Sequence, residues 1–216
     1  MQKPKRSEIS SSVIKRLPRY YRFIGELIKQ GIVRSSSGEL AEKMSLTASQ
    51  IRQDLNCFGG FGQQGYGYNL VELRTEIGKI LGIDRGYKAV LFGAGNLGKA
   101  IASHMNFGEY GWELIGIFDS DLRKENEKVA DLSVMHISRM ESFITENKPE
   151  IAILCIPKVA AQEYADKLVS LGIKAFWNFS HYDLAVSHKN IVVQNVHLGD
   201  SIMTLSYGLT TFEDEE

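Results

Sequence analysis

The chain has 216 residues, of which 44% are hydrophobic and 24% charged, a composition typical of folded domains and long enough for two small ones. No apolar run is long enough to cross a bilayer, and the polar, basic amino terminus lacks the core of a signal peptide, so we expect a cytoplasmic protein without a membrane partner. Cys57 and Cys155 lie far apart, and neither has a Cys or His at metal-ligand spacing, so we expect neither a disulfide nor a metal site.

The two halves of the chain differ in charge. Residues 1–86 contain 14 Lys and Arg against 8 Asp and Glu, whereas the remainder contains 11 and 18. A basic half suits a polyanionic partner. Solvated helix faces are also often charged, so charge alone leaves both interpretations open.

A first amphipathic helix is predicted after the basic amino terminus. Its apolar residues recur at three- and four-residue steps: Ile14, Leu17, Tyr21, Ile24, Leu27 and Ile28. Gly31 ends this pattern. Because proline is tolerated in the first turn of a helix, we expect the regular helix to begin near Pro18 and Lys3, Lys5 and Arg6 to lie on a basic arm ahead of it.

Two short helices are predicted next. Ser36 to Glu39 and Thr47 to Gln50 each have the spacing of a capping box, in which a hydroxyl and a Glu or Gln side chain each satisfy a free amide of the new helix. The second of these helices would expose four polar residues near its amino-terminal end: Ser49, Gln50, Arg52 and Gln53. Two helices joined by a tight turn predict a helix-turn-helix whose second helix enters a DNA major groove.

A glycine- and aromatic-rich segment, Phe58 to Tyr68, follows the predicted recognition helix. Glycine alternating with aromatic residues predicts a tight hairpin, the wing of a winged-helix domain. Further DNA contacts are predicted at Lys5, Arg16, Gln63 and Gln64. The alternative is a structural three-helix bundle with a flexible linker, because helix-turn-helix patterns are weak signals by themselves.

The second half opens with a strand-type run, Lys88–Phe92, followed at once by a G-x-G-x-x-G loop and a helical stretch to about Asn106. In such loops the first glycine permits the turn, the second lets a pyrophosphate approach the backbone, and the third lets the helix pack on the strand. The phosphate would lie on the helix amino terminus, where free amides and the helix dipole favour an anion. The predicted cofactor contacts in this loop are Gly93, Ala94, Gly95, Asn96, Leu97 and Gly98.

A second predicted strand, Leu114–Phe118, ends at Asp119. An acid at this position accepts hydrogen bonds from the ribose hydroxyls and repels a 2'-phosphate, so NADH and NAD+ are favoured as ligands over their phosphorylated forms. Strand, loop, helix, strand and acid occur in the required order. The alternative is a Rossmann-like domain whose pocket is empty or binds another nucleotide.

Further strands are predicted at residues 151–156, 175–179 and 191–193, with a helix at about 160–171. This alternation predicts an α/β fold with a doubly wound parallel sheet. Ligands bind beyond the carboxyl ends of such strands, so we expect Ser120, Ile156, Pro157 and Phe179 to line the cofactor pocket, the last two at the nicotinamide end.

A carboxyl-terminal helix is predicted to carry a narrow apolar stripe. The stripe consists of Leu198, Ile202, Leu205, Leu209 and Phe212. An apolar stripe needs a partner. Periodicity leaves open whether that partner is the helix's own domain or a second copy of the chain.

The order of these pieces resembles the Rex family of redox-sensing repressors, from about Lys15 to Leu209. The resemblance lies in Pro18-Arg19-Tyr20-Tyr21-Arg22, Ser49-Gln50-Ile51-Arg52-Gln53-Asp54-Leu55, Gly65-Tyr66-Gly67-Tyr68-Asn69, the Gly93 to Gly98 loop and Asn178-Phe179. It implies a homodimer that swaps its carboxyl-terminal helices, binds a palindromic double-stranded operator and releases it when NADH rises. It also implies that Arg22 lies at the junction of the two halves and that Leu198 reaches the nicotinamide pocket of the other subunit.

Several positions depart from the family pattern. Gln53, Gln63 and Gln64 stand where members often carry basic residues, which exchanges phosphate ion pairs for neutral hydrogen bonds. His104 and His197 stand where many members have a tyrosine and an aspartate that pair across the dimer. We therefore predict that these two histidines, together with Arg22, couple the cofactor to DNA binding.

These patterns predict three segments: a winged-helix DNA-binding domain with a short linker over residues 1–86, a Rossmann NAD(H)-binding domain over 87–196, and a dimerisation helix with an acidic tail over 197–216. The predicted function is transcriptional repression controlled by the NADH/NAD+ ratio, without catalysis. One alternative is a small NAD-dependent oxidoreductase with an amino-terminal extension, although the second half leaves no room for a substrate domain. Another is a nucleotide-binding scaffold whose first half binds partner proteins.

Overall fold

The computed structural model describes residues 9–59, 61 and 66–214. The chain divides into two compact units, with the boundary in sequence between Arg85 and Gly86. Three of the predicted DNA contacts, Lys5, Gln63 and Gln64, lie outside the described residues, as do Gly60, Gly62 and Gly65 in the predicted hairpin. No helix in the described ranges is both long and apolar enough to span a bilayer.

The first unit is a helical bundle with a small antiparallel sheet. Its elements are α1 (Ser11–Lys29), β1 (Arg34–Ser35), α2 (Ser37–Met44), α3 (Ala48–Asn56), β2 (Tyr68–Asn69) and α4 (Leu70–Leu81). All four helices contribute to one core, which includes Leu17, Ile24, Leu40, Met44, Ile51, Leu55, Leu73 and Ile77. Strand β2 begins at Tyr68, the last residue of the predicted wing segment, and pairs with β1, so the chain returns beside the start of α2.

Helix α1 begins well before Pro18, so the prediction that the regular helix starts there is wrong. Ser10 caps the helix by accepting a hydrogen bond from the Val13 amide, and Pro18 lies inside it. Val13 and Leu17 are both buried in these first turns. Packing of these residues therefore outweighs the backbone hydrogen bond that proline removes. Helix α4, which the sequence analysis did not identify, packs against α1.

The second unit is an α/β unit. Its elements are β3 (Tyr87–Phe92), α5 (Asn96–His104), β4 (Trp112–Asp119), β5 (Lys128–Val129), β6 (Leu132–His136), α6 (Met140–Asn147), β7 (Ile151–Leu154), α7 (Lys158–Ser170), β8 (Ala175–Asn178), α8 (Leu184–Ser187), β9 (Val192–Asn195) and α9 (Leu198–Asp214). Over the described residues the strand order is β5-β6-β4-β3-β7-β8-β9. The strands are parallel except for β5, which pairs antiparallel with β6.

The six parallel strands, taken in chain order, are arranged 3-2-1-4-5-6, the order of a doubly wound Rossmann sheet. The predicted α/β fold is therefore confirmed. Strand β3 is buried on both faces: Val90 and Phe92 join one core, and Ala89 and Leu91 join the other. The order reverses between β3 and β7, so the residues that follow these two strands lie at the switch point where such sheets bind ligands.

Candidate functional site

The glycine loop leaves β3 through a space that only glycine fits. Gly93 has φ +99, and a Cβ there would overlap the carbonyl oxygen of Cys155 and lie 2.8 Å from the carbonyl carbon. The Gly93 amide donates to the Phe118 carbonyl at 2.7 Å. The loop is thus held against the carboxyl ends of β4 and β7.

The other two glycines of the motif differ in their surroundings. A Cβ on Gly98 would overlap the carbonyl oxygen of Gly93 and lie 3.1 Å from Leu91 Cδ2, so this glycine permits close packing of α5 on β3. A Cβ on Gly95 would have no described heavy atom within 4 Å. Gly95 has no side chain to cap α5, so an anion at this open position would meet amides at the helix start.

Asp119 ties the loop to the second strand of the motif. It is 9% exposed, and its Oδ2 accepts from the Ala94 amide at 2.7 Å and from Lys124 Nζ at 2.8 Å, while Oδ1 accepts from the Asp121 amide at 2.9 Å. Burial raises the pKa of Asp119, but these donors outweigh burial and hold the pKa below its usual value. An ionised acceptor therefore stands beside the loop.

Lys124 is a part of this arrangement that the sequence analysis missed. Its ammonium group pairs with Asp119, and its side chain is 30% exposed. The only signal for it is the basic pair Arg123-Lys124 shortly after the acid. A cation at this place offsets the charge of Asp119 toward an approaching ligand.

The remaining predicted pocket residues follow the carboxyl ends of neighbouring strands. Ser120 is exposed after β4, Ile156 is half-buried and Pro157 exposed after β7, and Phe179 is half-buried after β8. The ring of Phe179 packs edge-on against Trp177, with 4.8 Å between centroids. Parallel strands end at one edge of the sheet, so these residues share that edge with the glycine loop.

A buried amide holds the turn that carries Phe179. Asn178 Nδ2 donates to the Tyr182 carbonyl and to Asn195 Oδ1, both at 2.8 Å, while its Oδ1 accepts from the Ser180 amide and hydroxyl. The sequence analysis did not single out Asn195. A fully bonded buried amide fixes the backbone around it, so Phe179 is presented on a rigid turn.

Of the two predicted capping boxes, one is complete. Ser36 and Glu39 exchange both bonds, with 2.7 Å from the Ser36 amide to Glu39 Oε2 and 3.1 Å from the Glu39 amide to Ser36 Oγ. At the second, Thr47 Oγ1 accepts from the Gln50 amide at 3.1 Å. The reciprocal bond is missing there because the Gln50 side chain instead donates to Asp54 at 2.8 Å.

Asp54, on α3, is the centre of a buried polar cluster. It is 1% exposed and accepts from Arg16 Nε at 2.6 Å, Arg16 Nη2 at 2.8 Å, Tyr20 Oη at 2.7 Å and Gln50 Nε2. The hydrogen bonds to Asp54 raise the pKa of Arg16, against the effect of its own desolvation. Arg16, predicted as a DNA contact, thus uses two N–H groups to join α1 to α3.

The other predicted contacts on α3 are exposed. Ser49, Arg52 and Gln53 face solvent, and Arg52 Nη1 donates to Ser37 Oγ at 2.9 Å. On β1, the side chain of Arg34 donates to the Tyr66 carbonyl at 3.2 Å. Their contact with DNA stays a prediction.

Residues 8–56 match the family described as "Putative DNA-binding protein N-terminus", and residues 84–182 match the family described as "CoA binding domain". The chain is 54% identical over 209 residues to the redox-sensing transcriptional repressor Rex of Thermoanaerobacter pseudethanolicus, a match that covers 97% of this chain and 93% of the relative. This chain belongs to the Rex family. The predicted repressor class is therefore confirmed, and the oxidoreductase alternative is wrong.

Solved structures of Rex-family proteins agree with this membership. One is described as RSP in complex with beta-NAD+ and operator DNA; it is 54% identical, has a TM-score of 0.89, and the match covers 95% of this chain and 94% of that one. Another, RSP in complex with beta-NADH, is 50% identical with a TM-score of 0.86, and the match covers 95% and 96%.

The predicted coupling residues of this Rex-family chain lie at the surface. Arg22 on α1 and His104 at the end of α5 are exposed, and His197, just before α9, is half-buried. His197 Nδ1 lies 3.1 Å from Nδ1 of His181, a residue to which the sequence analysis gave no role. A contact of His104 with His197 of a second subunit stays a prediction.

Helix α9 exposes its apolar residues. The predicted stripe of Leu198, Ile202, Leu205, Leu209 and Phe212 is between 59% and 74% exposed. The alternative in which this stripe packs on its own domain is therefore wrong. Met203 and Tyr207 are exposed as well, so the apolar surface is wider than predicted.

Proposed function

We propose that this chain binds a palindromic operator as a homodimer and releases it when NADH binds. Winged-helix DNA binding is assigned to residues 1–86, cofactor binding to residues 87–196, and dimerisation to residues 197–216. The observation that carries the proposal is the preassembled nucleotide site, in which Asp119 accepts from the loop amide of Ala94 at 2.7 Å. The relatives solved with beta-NAD+ and operator DNA and with beta-NADH support it.

The adenosine and pyrophosphate would be held by the first part of the site. The Gly93 to Gly98 loop provides the amides, open space at Gly95 admits the pyrophosphate, and Asp119 accepts from the ribose hydroxyls. These contacts are the same for NADH and NAD+. They supply affinity without discriminating between the two redox states.

Discrimination would arise at the nicotinamide end of the cofactor. The oxidised ring is cationic and the reduced ring is neutral, so an apolar pocket favours the reduced form. Ile156, Pro157 and Phe179 supply apolar surface from this chain, and Leu198, 65% exposed, would supply more from a second copy. Burial of the neutral ring then favours a dimer in which the two recognition helices no longer match adjacent half-sites.

The homodimer is supported by the exposed apolar surface of α9. Soluble monomers rarely leave a contiguous apolar patch of this kind in water. A second α9 has the same surface, so a two-fold contact would bury both. Because the repressor must have access to both operator DNA and the NADH pool, we place the function in the cytoplasm.

The decisive experiment measures operator affinity by fluorescence anisotropy with saturating NADH, with saturating NAD+ and with neither, on a duplex selected from a random library. Linkage is reciprocal, so NADH should weaken operator binding, and operator should weaken NADH binding, by the same factor of roughly 5 to 150. Equal operator affinities under all three conditions would refute redox sensing. Selection of no sequence at all would refute operator binding.

A further inference from the structure

The side-chain amide of Gln50 is held in one orientation by Asp54. Gln50 Nε2 lies 2.8 Å from Asp54 Oδ1. Burial raises the pKa of Asp54, but the hydrogen bonds from Arg16, Tyr20 and Gln50 outweigh it, so the pKa lies below its usual value and the carboxylate is ionised at neutral pH. An ionised carboxylate only accepts hydrogen bonds, so the nitrogen of the amide, and not its oxygen, must face Asp54.

The other hydrogen-bond donors to Asp54 bind without displacing the Gln50 amide. Arg16 Nε and Tyr20 Oη take Oδ2 at 2.6 and 2.7 Å, and Arg16 Nη2 shares Oδ1 with Gln50 at 2.8 Å. A carboxylate has about four acceptor sites, and four donors occupy them. The guanidinium also neutralises the charge of Asp54, which reduces its repulsion of DNA phosphates.

One N–H of the Gln50 amide is used in this way, and its other N–H and Oε1 remain. In a planar amide the N–H on the carbonyl side forms one edge with Oε1, an acceptor beside a donor, and this edge stays free when the opposite N–H bonds Asp54. Gln50 is the third residue of α3 and is half-buried, with the exposed Ser49 and Gln53 near it. Recognition helices contact base edges with residues at this amino-terminal end.

We propose that Gln50 reads one adenine in each operator half-site, with Oε1 accepting from the N6 amino group and Nε2 donating to N7, and that Asp54 is the positioning residue that presets this edge. In the major groove adenine has a donor, N6, beside an acceptor, N7, which matches this edge of the amide. Guanine has two acceptors there, so its O6 would face the acceptor Oε1. A preset side chain also loses less rotamer freedom on binding. The proposal rests on the operator binding proposed above.

The first test compares operators selected from a random duplex library by the full-length wild type, Q50A and Q53A. Gln53, itself a predicted DNA contact, is the matched comparison because it is the same residue type on the same helix but is exposed, and Q53A is compared for its base preference and not for its overall affinity. The wild type and Q53A should both retain one adenine per half-site that Q50A no longer selects. In the wild type, 7-deazaadenine at that position should weaken binding by roughly 5- to 150-fold, and in Q50A by less than about twofold.

The positioning role of Asp54 needs a readout that a purely structural role would not change. D54N should lower the ratio of affinities for adenine and guanine at the selected position. The neutral amide introduced there can donate to Gln50 Oε1, so the flipped orientation of the Gln50 amide becomes possible as well. Y20F removes one donor from Asp54 without touching Gln50, so it should lose stability and keep the ratio. An unchanged ratio in folded D54N would overturn the role.

Since D54N removes a buried ion-pair partner, nuclear magnetic resonance of the free wild-type chain provides a second measurement. One Nε2 proton of Gln50 should exchange more slowly than those of Gln53. Equal exchange at the two residues would overturn the positioning role of Asp54. If the wild type selects an operator and releases it with NADH, but 7-deazaadenine has no effect at any adenine of that operator, base reading by Gln50 is overturned while the proposed function stands. If the wild type selects no operator, the proposed function itself fails, and this inference fails with it.

Discussion

Alanine at Gly95 and alanine at Gly98 are expected to separate two roles of the nucleotide loop. A Cβ at Gly98 would overlap the carbonyl oxygen of Gly93, whereas one at Gly95 would have no described heavy atom within 4 Å. Gly95 has φ −82 and ψ −172, an extended conformation that alanine adopts freely. Only Gly98→Ala therefore forces the free protein to rearrange.

The magnitudes follow from these surroundings. Relief of the overlap at Gly98 requires a shift of α5 against β3, and overpacking of this kind costs about 1–3 kcal/mol of unfolding free energy. At Gly95, alanine restricts the unfolded chain, which stabilises by about 0.4–1 kcal/mol. Alanine is also a poorer N-cap than glycine by roughly 0.5–1 kcal/mol. These effects oppose each other, so the stability of Gly95→Ala should stay within about 1 kcal/mol of wild type.

Cofactor binding should fall in both variants, for different reasons. The methyl group of Gly95→Ala occupies the space through which the pyrophosphate approaches, and Gly98→Ala displaces the amides that would bind it. A loss of about 1.4 kcal/mol or more from either cause lowers NADH affinity at least tenfold. The winged-helix residues are untouched, so both variants should bind operator in the absence of cofactor.

Urea unfolding followed by tryptophan fluorescence measures stability, because both tryptophans, Trp112 and Trp177, lie in the second unit. Calorimetry measures NADH affinity. Gly108→Ala is the control, since its Cβ would meet Asn106 Oδ1 at an ordinary 3.6 Å. Wild-type NADH affinity in Gly95→Ala would refute the proposed phosphate approach, and wild-type stability in Gly98→Ala would refute the packing argument.

Three further predictions concern single side chains. Asp119→Ala should weaken NADH binding and reduce its preference over NADPH in calorimetry, because it removes the acceptor for the ribose hydroxyls; an unchanged preference would exclude this role. Arg52→Ala should weaken operator binding and leave NADH affinity unchanged. If Arg52 contacts a base, the loss is about 1–3 kcal/mol and specific to the operator, whereas if it contacts phosphate the loss is equal on all DNA sequences. Full operator affinity would rule out both contacts. The folded pKa of Asp54 lies below the unfolded value of about 3.9, so its contribution to stability is present above about pH 4 and is lost as pH falls through the folded pKa. Acid unfolding of wild type should therefore be steeper than that of Asp54→Asn, and identical acid profiles would contradict the ionised cluster.

The Rossmann half could be predicted closely because its signals are local. A strand buried on both faces must be apolar throughout, as Lys88–Phe92 nearly is, and the loop after it tolerates only glycine at Gly93 and Gly98. The capping box at Ser36 and Glu39 is equally local. In the capping box the interacting groups are three residues apart in sequence. At Gly93 and Gly98 the packing of the backbone leaves room for glycine only.

The tertiary structure decided which side chains are partners across long separations. The spacing of Thr47 and Gln50 predicts a capping box, yet Gln50 turns to Asp54, whose charge is compensated by Arg16 from 38 residues away. Arg16 itself was predicted from the sequence only as a DNA contact. Likewise, the interior position of Pro18 in α1 depends on a core that other helices complete.

The sequence by itself thus determined the parallel sheet, the glycine loop with its acid and the position of helix α3, the predicted recognition helix, because periodicity, capping residues and glycine spacing encode short-range geometry. Only the tertiary structure decided that Lys124 pairs with Asp119, that His197 meets His181, and that α9 leaves its apolar surface exposed. A polar side chain bonds to whichever complementary group the fold brings within about 3 Å. That choice is a competition among residues distant in sequence, and no local pattern records its outcome.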